Sequence, residues 1–314
     1  MKIFLHIGIE KTGSTTIQGF LVKNKKLLRQ RGIGISESLG HANNVMLAAY
    51  AMGHDRSNSI HVEERVVDSD KRIEFDRLIV ENFAREIQDL PKNVQSLVLS
   101  NEHCHSNLID AQEIEKLREL LTRVSDNITV IVYLRRQIDV RVSHYSTLLK
   151  LGSSVELGEH IAQLSLSHYY NYLELINLWA GAFGKDKVMI RIFEKPKLVG
   201  GDLITDFCNA VDIADLADLK SPERMNESVT PQAQRLLLQF NRFRMAHPLK
   251  NLESMHNKFR SHLIKKYPGK GVMPFRALAI EKQSIFSAAN ADLNRIYLNA
   301  TGSPFSESFD EFPN

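Results

Sequence analysis

The sequence predicts an α/β protein: a central parallel sheet covered by helices on both faces, followed by a helical C-terminal portion. Three observations carry this. KIFLHIGI, VQSLVLS, ITVIVYL and VMIRIF are nearly unbroken apolar runs of strand length, the pattern of strands buried on both faces. Between them lie longer segments with apolar residues three and four apart, the period of helices that turn one face to a core. The chain has 314 residues, 43% hydrophobic and 25% charged, enough for one large domain and far from a disordered composition.

The elements follow in order. KIFLHIGI is a strand closed off by Gly13, and TTIQGFLVKNKKLLRQ is a helix that Gly32 ends. Ile17, Phe20, Leu21, Leu27 and Leu28 suit its core face. Lys23, Lys25, Lys26 and Arg29 suit a solvated face, or alternatively a surface for an anionic acceptor. A Gly/Ser/Asn/His-rich stretch spans about 34 to 61. FDRLIVENFAREIQDL is a helix stopped by Pro91, and VQSLVLS is a strand. DAQEIEKLRELLTRV is an amphipathic helix with an acidic first turn, and ITVIVYL is the next strand. Helices from about Ile138 to Leu151 and across HYYNYLELINLWAGAF precede the strand VMIRIF, giving the order β-α-α-β-α-β-α-α-β. From about Gly200 the chain reads as helical: LITDFCNAV, TPQAQRLLLQFNRFRMA and AIEKQSIFSAANADLNRIYLNA. With no linker or repeat, the expectation is one domain over 1–314, a core to about 200 and a helical portion over 201–314.

Lys and Arg total 40 against 37 Asp and Glu, a net charge of +3. That balance argues against a general polyanion binder and leaves any anion site local. Cys104 and Cys208 lie far apart with no ligand spacing around them, which argues against structural zinc and a disulfide framework. MKIFLHIGIEKTG has neither the shape of a signal peptide nor the length of a membrane span, so a cytoplasmic location is expected.

The segment HIGIEKTGSTTIQ lies at the first strand-to-helix turn. Backbone N–H groups at a helix start, a turn-permitting Gly13, and the hydroxyls of Ser14, Thr15 and Thr16 make an anion cradle, with Thr12 inside the same loop. In the pattern GxxxxGK[ST] the lysine follows the second glycine; here Ser14 follows Gly13 and the lysine is Lys11, two residues before it. An ordinary ATPase or GTPase is thereby demoted. A lysine inside the loop can set its ammonium over the bridging oxygen of a phosphoanhydride-like donor as well as its terminal group.

This loop resembles the 5′-phosphosulfate loop of sulfotransferases that use 3′-phosphoadenosine 5′-phosphosulfate, especially bacterial enzymes related to the carbohydrate and heparan sulfate-type sulfotransferases. A second segment, RRQIDVRVSHY after ITVIVYL, resembles the same family's 3′-phosphate motif, with Arg135 at the strand end and Ser143 eight residues on. Arg141 and Tyr145 match further positions. An arginine fork suits a phosphate dianion and a hydroxyl adds a neutral donor. The family's commoner form has a proline after its arginine pair, where Arg136, Gln137 and Ile138 stand here. Arg136 is left out of the site as a residue suited to pairing with an acid.

The resemblance implies a P-loop NTPase-like three-layer fold, a phosphosulfate donor yielding adenosine 3′,5′-bisphosphate, no metal, and a hydroxyl acceptor such as a carbohydrate. It implies Lys11 as the group facing the leaving phosphate. Between the two motifs VQSLVLS ends in SNEHCHSN, where Glu102 matches the carbohydrate branch's base, with His103 as the alternative base and His105 as an acceptor contact. His41, Asn43 and Asn44 are candidates for the acceptor cleft or for a plain polar turn. Lys270 in KKYPGKG is similar to a loop over the 3′-phosphate, and ERMNES and SAANADLNRIYL also look like bacterial members. Two other classes compete: a divergent P-loop kinase, which needs magnesium and ATP, and a non-catalytic nucleotide- or glycan-binding protein.

Overall fold

The computed structural model describes residues 1–221, 228–247 and 252–314. ERMNES therefore lies, except for Ser228, outside the described residues. In chain order the elements are β1 (Lys2–His6), α1 (Ser14–Gln30), β2 (Ile33–Ile35), α2 (Met46–Ala51), α3 (Ser59–Glu63), α4 (Ser69–Gln88) and β3 (Ser96–Ser100). Next come α5 (His103–Asn107), α6 (Ala111–Thr122), β4 (Ile128–Leu134), α7 (Gln137–Lys150), α8 (Leu157–Ala162), α9 (Tyr172–Phe183) and β5 (Val188–Ile192). The last are α10 (Leu203–Ala210), α11 (Pro231–Ala246), α12 (Leu252–Lys266), α13 (Arg276–Ser284) and α14 (Ser287–Tyr297).

Five parallel strands form one sheet in the order β2-β3-β1-β4-β5. Successive side chains alternate across it, as the pleat demands. Ile3, Leu5, Leu97, Leu99, Val130 and Val132 join one buried cluster with Leu117, Leu175 and Trp179 from α6 and α9. Phe4, Val98, Ile131 and Tyr133 join the other, with Ile17, Phe20 and Leu21 of α1 and Phe207 of α10. The result is the expected three-layer α/β arrangement, and the apolar runs are continuous because both faces are covered.

Besides α3, α5, α8 and α12, which the expected segments lack, two features differ from the sequence expectation. β2 is a further strand inside the Gly/Ser-rich stretch, only three residues long with Gly34 at its centre, too short to show a period. AIEKQSIFSAANADLNRIYLNA is two helices, α13 and α14, because Phe286 between them turns fully into the core. Ala279, Phe286 and Leu293 thus pack into the sheet's own cluster.

A third, smaller cluster joins Tyr145 and Leu149 of α7 to Val229, to Ala233 and Leu237 of α11, and to Leu263 of α12. It props the α11–α12 pair beside α7. Because the chain passes from β3 on one side of β1 to β4 on the other, the carboxyl ends of β1, β3 and β4 form the switch point where open α/β sheets bind ligands. Among the described residues no helix is long and apolar enough to cross a membrane.

Candidate active site

Beyond His6 the chain continues to pair with β4: the Ile7 and Ile9 amides donate to Ile131 and Tyr133 carbonyls, and the Tyr133 amide donates to the Gly8 carbonyl at 2.8 Å. The loop then folds over itself. Thr12 is fully buried, its hydroxyl donating to the Ile9 carbonyl at 2.6 Å, and Ser14 donates to the same oxygen at 3.4 Å. Lys11 has φ 66° and Gly13 φ 84°, left-handed conformations that cost a glycine least. A β-carbon on Gly13 would also lie 2.3 Å from Leu203 Cδ2, a side-chain end that would have to move, so the positive φ is the stronger reason for glycine. Gly13 is the N-cap of α1, which has no side-chain cap and no acid in its first turn. Its positive end therefore faces the cleft without an internal anion.

The cleft has a volume of about 660 Å³, within the usual range for a small-molecule site. Lys11, Thr15 and Thr16 form its floor, Ser143, Thr147 and Lys150 of α7 one side, and Ser228 and Arg260 the rim toward α12. Lys11 Nζ donates to Thr147 Oγ1 at 2.9 Å, joining the loop to α7. Burial holds the Lys11 ammonium below its ordinary pKa, against the opposing pull of Glu10 and Glu102. Burial and the Lys11 charge likewise depress Lys150. Cations, hydroxyls and a helix N-terminus on one wall fit a polyanionic nucleotide.

The same cleft is also lined by Glu10, Glu102 and His103, with both acids near enough to Lys11 for their charges to act on it. Glu102 accepts from Gln18 Nε2 at 2.5 Å, and that amide also reaches Ser100 Oγ at 3.5 Å. Ser100 Oγ lies 2.8 Å from Nδ1 of the fully buried His6, which burial holds down to about 3. A buried polar chain thus ties Glu102 to α1, the same helix that opens toward the cleft. Glu10 accepts from the Tyr169 hydroxyl at 2.9 Å, and its Oε1 is 4.0 Å from His103 Nδ1. Burial alone would raise Glu10; the His105 imidazole, hydroxyl hydrogen bonds from Tyr169 and Ser106, and the Lys11 charge outweigh it and hold the carboxyl below its usual range.

Of the residues singled out from sequence, Lys11, Gly13, Ser14, Thr15, Thr16, Glu102, His103 and Ser143 line this one cleft. Thr12 shapes the loop from inside. Arg135 stands behind the loop and off the cleft wall: it donates to the Lys11 carbonyl at 3.0 Å and lies 5.7 Å over the Phe193 ring. Its other guanidinium donors have no hydrogen-bond partner among the described residues. Arg136 is buried against Asp139 and Glu311, in keeping with an acid-paired role. Arg141 donates to the His160 carbonyl at 2.8 Å and Tyr145 is core.

His105 is fully buried, with Nε2 2.9 Å from the Tyr169 carbonyl, and burial holds it down to about 4. Asn44 ties α2's approach to β3 through Ser100, while His41 and Asn43 lie away from the cleft, so this segment is a structural turn. Lys270 is exposed and also off the cleft wall.

Sequence reasoning passed over Glu10, Gln18, His144, Thr147 and Lys150. Some of their signal was present: Ser143, Thr147 and Lys150 are four and three apart, one polar stripe of α7, and Ser14 and Gln18 are one turn apart on α1. His144 lines the cleft with Nδ1 unpartnered, and burial followed by the Lys11 charge depresses it. Among the described residues, no group of three or more His, Cys, Asp or Glu is placed to hold a metal.

No family model matches the chain, and no curated protein matches it. Among solved structures, a sulfotransferase from Alicyclobacillus acidocaldarius is similar at 14% identity and a TM-score of 0.42, covering 82% of this chain and 98% of that one.

Proposed function

We propose that the protein is a sulfotransferase that moves a sulfuryl group from 3′-phosphoadenosine 5′-phosphosulfate to a hydroxyl, most simply one on a carbohydrate or glycolipid. The observation that supports this most is the division of one cleft. Lys11 stands in a loop at the open N-terminus of α1, facing the hydroxyls of α7. Glu102 lines the same cleft within reach of the Lys11 charge, tied to α1 through Gln18.

In this reading the loop from Lys11 to Thr16 holds the 5′-phosphosulfate, with Thr12 as its internal brace. Ser143 serves the 3′-phosphate from the cleft wall, while Arg135, off that wall, braces the loop through the Lys11 carbonyl. The donor supplies an activated sulfuryl group with a phosphate leaving group. Glu102 takes the acceptor proton as the acceptor oxygen bonds to sulfur, and the S–O bond to the 5′-phosphate breaks with its electron pair on that phosphate. Lys11 offsets the charge growing there, and the fixed walls supply orientation. Lysine and backbone dipoles thus do here what magnesium does in phosphoryl transfer.

A second base is favoured by one contact, the approach of His103 Nδ1 to Glu10 Oε1 at 4.0 Å, which suits a carboxylate-oriented imidazole. The whole chain acts as one domain in this reading, working in the cytoplasm with Cys104 and Cys208 reduced and the helices after residue 200 flanking the acceptor. Transfer of radiolabelled sulfate from the donor to glycan fractions, without added metal, tests the proposal. Labelled glycan is the expected result. Magnesium-dependent transfer of phosphate from ATP would point to a kinase, and donor binding without any turnover to a non-catalytic protein.

A further inference from the structure

The net charge of +3 conceals a strong asymmetry. Residues 231–270, which include α11 and α12, contain nine lysines and arginines against one acid, Glu253; the rest of the chain has 31 basic residues against 36 acidic. Arg235, Lys258, Lys265, Lys266 and Lys270 have no carboxylate partner among the described residues.

Apolar side chains are exposed on the same two helices. Leu236 and Phe243, seven residues apart and thus in line on α11, are 37% and 52% exposed, flanked by Arg235 and Arg242 at the same spacing. Met245 and Met255 are 65% and 48% exposed. On α12 the exposed residues Lys258, His262 and Lys265 follow at spacings of four and three. The inward faces are satisfied separately, through Ala233, Leu237 and Leu263 against α7.

From this we infer that the outer face of α11 and α12 docks on an anionic membrane surface. A soluble polyanion would be met by the cations alone. Lysines and arginines interleaved with outward Phe, Met and Leu side chains match a bilayer interface, where the charges face lipid phosphates and the apolar groups enter the headgroup boundary. Because Arg260, Ser261 and Ile264 of α12 also line the cleft, docking would hold the cleft rim next to the membrane. None of this depends on the sulfotransferase reading.

Flotation of the full chain with vesicles of phosphatidylglycerol and phosphatidylcholine in equal parts tests the inference without donor or acceptor. Binding is expected to those vesicles, not to phosphatidylcholine alone, and to weaken with salt. Lys265→Gln with Lys266→Gln should weaken it about 30-fold. Leu236→Ser with Phe243→Ser should weaken it about tenfold with all charges kept, while thermal melting checks that each variant folds. Absence of vesicle binding, equal binding to neutral vesicles, or full binding by the Leu236/Phe243 variant would overturn the inference. The last outcome, with dextran sulfate displacing the protein from vesicles, would make the face a site for soluble polyanions.

Discussion

Two sets of residues lining the cleft solve different electrostatic problems. On the loop and α7 side, Lys11, Thr15, Thr16, Ser143, Thr147 and Lys150 present donors to the cleft. The second set is Glu10 and Glu102, which present acceptors, each held by a neutral donor from a different part of the chain: Tyr169 for Glu10, Gln18 for Glu102. The first set suits a ligand that arrives with fixed negative charge. The second suits a group that must give up a proton. A phosphate-binding loop alone has only the first set, so the pairing of the two supports transfer chemistry over simple nucleotide binding.

Changes in the two sets should therefore fail in different ways. Lys11→Ala should have the largest effect, about a 10³-fold loss of kcat in sulfate transfer, with circular dichroism unchanged; near-normal turnover would remove Lys11 from the chemistry. Glu102→Gln keeps the size and a hydrogen-bonding partner for Gln18, and should lower kcat about 10²-fold while donor affinity stays within a few-fold. If that variant is unaffected and His103→Ala is instead inactive, the base is His103. Tyr169→Phe removes the hydroxyl that holds Glu10 and should act on the acceptor, raising its KM about tenfold with kcat largely kept.

The smallest effect is on stability and belongs to the buried end of the second set. His6 is held near 3 in the folded chain against an ordinary 6.5. The unfolded chain therefore binds the extra proton between those values. Stability from this group is complete above 6.5 and is lost as pH falls toward 3, by about 2 kcal/mol at pH 5. Urea midpoints at pH 7 and pH 5 measure it, and His6→Asn should lessen the difference, the part left belonging to His105 and His160, which burial also holds down to about 4; an equal loss in that variant would contradict the assignment.

The legibility of the two sets differed as well. ITVIVYL matches β4 residue for residue, because a buried parallel strand needs a continuous apolar run and nothing else in the chain competes with it. Lys11, Gly13 and the hydroxyls after them were readable because an anion cradle is local: one turn and one helix start supply all of it. The second set is assembled from residues distant in sequence. Gln18 meets Glu102 across 84 residues and Glu10 meets Tyr169 across 159, and no local period encodes such meetings. Glu10 was adjacent to Lys11 in plain view, but only the contact with Tyr169 shows it turned into the cleft wall. β2 escaped notice for the opposite reason: three residues carry too little pattern, and the strand exists through its pairing with β3.

The charge count shows the same limit. A total of +3 is correct yet averages over a basic segment at 231–270 and an acidic remainder. A single sum describes solubility better than it describes a surface.

The most direct test of the central claim is calorimetric binding of adenosine 3′,5′-bisphosphate and of AMP, each with a chelator present. The account predicts metal-independent binding of the bisphosphate at least about tenfold tighter than AMP, since a further phosphate gains charge-assisted contacts, with the preference reduced in Ser143→Ala. Equal affinity for the two nucleotides, or binding that appears only with magnesium, would contradict it.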